Sequence, residues 1–196
     1  MDLSWIAFLA GLILFFGPHS VRLFAEPWRQ ARMAAWGEKG WKGRYSLVVG
    51  VGFALLLWGF AGVRHEQAAL FTLPAGLGLG MRHLMALLML PACWLIVAYH
   101  LPRSHFKVRL GHPMLLATKL WAFAHLLVNH KPVELLLFGS FLLWAVLDFR
   151  AARRRPAAAP QSPSWLQTGM ALVGGTAFYG AFALWLHPLW LGVSAR

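Results

Sequence analysis

Apolar runs of bilayer length fill most of the chain, and they leave few folds open to it. Six stand out: Leu3–Ala25, Tyr45–Val63, His83–His100, Pro113–Asn129, Val133–Phe149 and Leu166–Leu191. Each apolar core is close to the ~20 residues that cross ~30 Å of hydrocarbon. Lipid offers no partner to an open backbone N–H or C=O, so spans of this kind are helical. The pattern predicts an all-α polytopic membrane bundle of six transmembrane helices, one domain over residues 1–196 in contact with the lipid bilayer. Composition agrees: hydrophobic residues make up 59% of the chain and charged residues 12%, against roughly 25% charged in a water-soluble domain. The Met-Asp-Leu-Ser-Trp start lacks the basic n-region of a cleaved signal and reads as the head of a retained span.

The net charge of +12 does not point to nucleic acid, because the basic residues are scattered over short connections. Arg29, Arg32, Lys39, Lys42 and Arg44 fall in the first loop, Arg103, Lys107 and Arg109 in the third, and Arg150, Arg153, Arg154 and Arg155 in the fifth. Only Arg64, Arg82, Lys131 and Arg196 fall on the other side, while Arg22 and Lys119 lie within spans. The positive-inside rule places loops one, three and five in the cytoplasm and both termini outside, in the periplasm of a bacterial inner membrane. Asn129-His130-Lys131-Pro132 marks spans four and five as a tight antiparallel hairpin, and Ala151–Ser164 reads as a cytoplasmic linker. Gly76-Leu77-Gly78-Leu79-Gly80 is expected in an external connection and lacks the context of a phosphate loop. Gly50, Gly52, Gly59, Gly174, Gly175 and Gly180 are the residues expected to allow close helix contact.

Ionisable groups are costly in hydrocarbon, which makes the histidines of the spans the candidates for function. His19 follows Pro18, whose ring predicts a kink that turns the side chain toward the bundle. Arg22 lies one turn on, on the same face, and suits an acidic substituent of a bound cofactor; the structural alternative is a boundary histidine with Arg22 snorkelling. His125 stands among apolar residues, with Trp121 one turn before it and the small Ala122 at i−3. It reads equally as a ligand or as a helix-to-helix hydrogen-bond donor. His112 precedes Pro113 and reads as the cap of the fourth helix. Thirteen residues separate it from His125, about 1300° of rotation, so the two face different ways. His83 and His187 lie toward the outer ends of their spans. Lys119 and Asp148 are expected to form an ion pair between spans four and five.

Much chemistry is excluded. Cys93 is the one cysteine, so no intrachain disulfide and no C-x-x-C site exists. The six acidic residues form no carboxylate pair, and no helix carries H-x-x-x-H. What remains is imidazole from separate helices, which in a membrane bundle points to heme b with two axial nitrogens. Depth along the helices, at 1.5 Å per residue, puts His19 ~22 Å inward and His125 ~12 Å from the outer face. By depth alone His19 pairs with His112, or His83 with His125.

Several stretches resemble the NnrU family: Gly17-Pro18-His19-Ser20 with Arg22, Gly37-Glu38, Arg44-Tyr45-Ser46, Trp58-Gly59, Arg82-His83-Leu84, and Gly111-His112-Pro113-Met114 through Lys119-Leu120-Trp121-Ala122-Phe123-Ala124-His125. Phe138-Gly139-Ser140 and Trp144-Ala145 with Asp148 also fit, so that the likeness covers most of residues 1–150. It implies a bacterial membrane protein linked to denitrification and nitric oxide metabolism, with electron transfer or support of a respiratory reductase as its role. The family is related to the 15-cis-ζ-carotene isomerase, which implies a second reading, a heme-dependent cis–trans isomerase of a lipid-soluble polyene. A third is a scaffold without catalysis. The resemblance implies His19 and His125 as axial ligands of the iron and gives His112 a counterpart in the relative, which puts it beside the cofactor, where Arg22 joins it by its place on the His19 face. Ala122 stands where the isomerase carries a cysteine, a departure that bears on redox-gated isomerisation.

Overall fold

Every described element of the chain is helical. The computed structural model describes residues 2–155 and 161–191, and its elements are α1 (Leu3–Phe24), α2 (Glu26–Glu66), α3 (Ala75–Tyr99), α4 (His105–Leu110), α5 (Pro113–Leu126), α6 (Pro132–Arg153), α7 (Trp165–Ala181), a π-helical turn (Phe182–Leu186) and α8 (His187–Leu191). Five helical stretches are long and apolar enough to cross a bilayer: α1, α2, α3, α6 and the run Trp165–Leu189. The chain is a multi-pass membrane protein by this measure. The expected fourth span is cut to the 14 residues of α5, about 21 Å of helix against ~30 Å of hydrocarbon. It stops because Asn129 turns back on it: both the backbone and side-chain amides of Asn129 donate to the His125 carbonyl.

The chain forms two compact units. The first comprises residues 1–68 with 131–133. Its frame is the pair α1 and α2, joined along a seam of small and buried side chains. Phe8, Gly11, Leu56, Gly59 and Val63 are buried there. A Cβ added to Gly52 would lie 2.7 Å from the Leu14 backbone, one on Gly11 2.7 Å from Leu56 Cα, and one on Gly59 2.7 Å from Phe8 Cα. The glycines therefore set how closely the helices approach, which matters in lipid, where packing rather than water exclusion drives association. Gly50, expected to share this role, faces open space.

The basic first loop is not a loop. Residues 26–44 are helical, and α2 is broken only at Gly37, with φ 70 and ψ 163. That backbone conformation is open to glycine alone. Pro27 in the first turn and Glu26 near the positive end of the dipole start this helix. The sequence reading missed it because cationic residues among tryptophans carry little apolar periodicity.

The second unit comprises residues 69–130 and 134–196. Here α3 packs against α5 and α7. Gly175 lets α7 approach α3, since a Cβ there would lie 2.7 Å from the Trp94 backbone, and Trp94 Nε1 donates to Thr176 Oγ1 at 2.9 Å. Gly174 is in ordinary contact with Val97, and Gly180 faces open space. The run Gly76–Gly80 lies inside α3 rather than in a connection. A long span carries its first turns with it, because extending an existing helix costs far less than starting one. The expected hairpin of α5 and α6 is present: Trp121 meets Phe138 and Phe141, and His112 meets Phe149, in antiparallel order. The expected linker at Ala151–Ser164 begins inside α6, which runs to Arg153, and residues 156–160 lie outside the described residues, as does Arg196.

Candidate functional site

The two histidines singled out from the sequence sit in different units, each held by the same local device. In the first unit α1 runs unbroken through Pro18. His19 lies four residues after Phe15, and its Nδ1 is 2.7 Å from the Phe15 carbonyl oxygen. A carbonyl can only accept, so Nδ1 carries the proton and donates. The ring stacks on Phe15 at 4.4 Å and meets Tyr45 edge-on at 5.6 Å. Tyr45 lies on α2, seven residues before Gly52, so the seam that joins the two helices delivers it to His19.

In the second unit His125 Nδ1 donates to the Trp121 carbonyl at 2.8 Å. Its ring stacks on Phe138 of α6 at 4.7 Å and is tilted against Trp121 at 5.3 Å. Phe138 is itself buried, and Ala122 is fully buried. His187 belongs to the same unit. It follows the π-helical turn, where its amide bonds back to the Phe182 carbonyl. A wide turn there relieves the clash that Pro188 would make with the carbonyl four residues before it.

The chemical consequence is a fixed tautomer. With Nδ1 protonated and donating, a neutral imidazole keeps its lone pair on Nε2. Histidines that bind a metal almost always donate their other ring N–H to a carbonyl or carboxylate in this way. Both side chains therefore fit the donor chemistry that heme iron requires. No group of three or more His, Cys, Asp and Glu side chains forms a metal-ion site among the described residues.

The other expected site residues have different roles. Arg22 is exposed, and Glu26 lies within reach of its charge. His112 occupies the cap position before Pro113, after Gly111 turns the chain with φ 74, but its side chain makes no capping bond. Its ring lies edge-on to Phe149 of α6 at 6.2 Å, a contact between the start of α5 and the far end of α6. The expected Lys119–Asp148 ion pair is not formed. Lys119 Nζ stands 3.6 Å above the Phe149 ring, and Asp148 pairs with Arg155 at 3.3 Å. A cation over an aromatic face needs no carboxylate, and the C-terminal end of α6 offers Asp148 a nearer arginine.

One signal, read from the sequence at His125, also marks His19. An aromatic residue stands four before each histidine, Phe15 before His19 and Trp121 before His125. Phe138 and Tyr45 come from other helices and have no such mark.

Comparison with known protein families gives a match. The family model described as NnrU protein matches residues 7–195, nearly the whole chain. No curated protein and no solved structure matches.

Proposed function

The chain belongs to the NnrU family, and on that footing we propose that it is a heme b protein of the bacterial inner membrane, with His19 and His125 as the axial ligands. The observation that carries this reading is the shared tautomer: each histidine gives its Nδ1–H to the carbonyl four residues back, at 2.7 and 2.8 Å. That bond holds the ring orientation and makes Nε2 the basic nitrogen. Phe15 and Phe138 then lie flat against the two imidazoles and limit their rotation. The full reading has six spans, with α5 as a short fourth, both termini outside, and Arg22 on the cytoplasmic side of His19.

Bound at these residues, heme b supplies a one-electron iron couple. Held by two imidazoles, such a group would favour electron transfer or sensing over substrate turnover. The reading that follows is a role in nitric oxide and denitrification metabolism, passing electrons to a respiratory reductase or supporting it. The isomerase reading is the weaker one, because Ala122 brings no thiol to the neighbourhood of His125.

The test is the absorption spectrum of protein purified in detergent. The wild type is expected to be red, His19→Ala and His125→Ala to lose or alter the heme bands, and His130→Ala to keep them. Unaltered bands in both ligand variants would reject the assignment. A colourless wild type expressed with ample heme would favour the scaffold.

A further inference from the structure

The helical turn-back around Gly37 gathers aromatic and cationic side chains at the point where α1 ends. Trp28, Arg32 and Trp36 follow at four-residue spacing and share one face. Beyond Gly37, Trp41 meets both indoles, Trp28 at 5.9 Å and Trp36 at 6.2 Å. Arg32 Cζ lies 5.9 Å from the Trp28 ring and 5.8 Å from the Trp36 ring. Arg44 Cζ lies 4.4 Å from the same Trp36 ring. Two guanidinium groups thus converge on one indole.

The local carboxylates are already taken. Glu26 pairs with Arg29 at 2.6 Å, and Glu38 pairs with Lys42 at 2.5 Å. Arg32, Lys39 and Arg44 have no carboxylate partner among the described residues. Arg32 Nε is moreover buried without a hydrogen-bond acceptor. A guanidinium is all donors and stays charged, so a buried N–H without an acceptor calls for an anionic oxygen. The surroundings say where that oxygen comes from. Phe24, Trp28 and Trp36 are exposed here, and the apolar stretch of α2 follows directly. Tryptophan rings of this kind lie at headgroup depth.

We infer that Arg32 and Arg44, with Trp36 between them, form a binding site for the phosphate of an anionic phospholipid in the adjoining leaflet. The planar forks of the arginines suit a phosphodiester, the indoles lie among the upper acyl carbons, and the paired acidic residues keep the remaining face from repelling the lipid. The site is independent of any heme, so its test uses protein stability rather than colour.

Full-length protein in a nonionic detergent is titrated with phosphatidylglycerol, phosphatidylcholine or inorganic phosphate, and the unfolding temperature is followed. Phosphatidylglycerol is expected to raise it by about 5 °C or more near saturation, with little effect from the other two. Arg32→Gln with Arg44→Gln is expected to lose that shift while keeping its helical circular dichroism, and Lys39→Gln, which removes one charge away from the indoles, to keep it. An equal shift from phosphatidylcholine, or a double variant that still responds, overturns the site. So does a Lys39→Gln variant that loses the shift equally, since that reports bulk charge. An equal response to inorganic phosphate overturns the lipid assignment in favour of the free anion.

Discussion

His19 stacks its ring on Phe15 at 4.4 Å while donating its Nδ1–H to the Phe15 backbone carbonyl at 2.7 Å. One residue thus fixes both the plane and the tautomer of the imidazole. The two effects are separable, because the stack needs the phenyl ring and the hydrogen bond needs only the backbone. Phe15→Leu should keep the Nδ1-protonated tautomer and lose about 1 kcal/mol of aromatic packing. Nitrogen NMR of histidine-labelled protein without heme reads the tautomer, and thermal unfolding reads the packing. An Nε2-protonated His19 in the wild type would remove the physical basis of the ligand assignment.

Phe138 performs the stacking for His125 from a different helix, and it also packs edge-on against Trp121. Its burial makes truncation costly. Phe138→Ala should destabilise the second unit by about 3 kcal/mol, and Phe138→Leu by clearly less. Denaturation by a graded detergent mixture orders the three proteins. Equal stability of all three would mean that α6 does not hold α5 through this ring.

The seam of α1 and α2 separates two glycines that the sequence alone treats alike. Gly52→Ala places a carbon 2.7 Å from the Leu14 backbone, which no rotamer relieves, whereas Gly50→Ala meets nothing. The first should cost about 1–3 kcal/mol through overpacking. The second should be neutral or gain up to about 1 kcal/mol from helix propensity. Unfolding temperatures of the two variants, measured side by side, decide the matter.

What the sequence discloses here follows from what hydrocarbon demands. The helical character of the spans, the hairpin at Asn129–Pro132 and the cap position of His112 all come from local rules that apolar length, proline and asparagine obey. The helix over residues 26–44 was hidden because its residues are cationic and aromatic, and because Gly37 breaks its register. The extent of α5 was hidden too: seventeen residues from Pro113 to Asn129 look continuous, but Asn129 caps the helix at the His125 carbonyl. Partners chosen across helices were the least legible. Lys119 and Asp148 are matched by charge, yet Phe149 and Arg155 lie nearer to them, and only the register of α5 on α6 reveals it.

Gly37 carries the turn on which the arginine–tryptophan cluster depends. At φ 70 and ψ 163 any side chain is strained, at a cost of about 1–3 kcal/mol. Gly37→Ala should therefore straighten α2 or loosen residues 26–36. Limited proteolysis by trypsin at Arg29 and Arg32 is expected to speed up severalfold in the variant. An unchanged cleavage pattern would mean that the turn survives without glycine.

Glu26 gives this segment a pH dependence with a definite sign. The hydrogen bond from Arg29 holds its carboxyl well below the ordinary 4.5, at about 2. A depressed pKa means that the charged form is favoured in the folded state. The stabilisation is therefore complete above pH 4.5 and is lost as the pH falls toward about 2. The pair is partly exposed, so the effect at neutral pH should be small, about 0.5 kcal/mol. Glu26→Gln should show that deficit at pH 7 and converge with the wild type near pH 2. Proteolysis of residues 26–36 across that range measures it, and a gap between the two proteins that widens on acidification would contradict the assigned pairing.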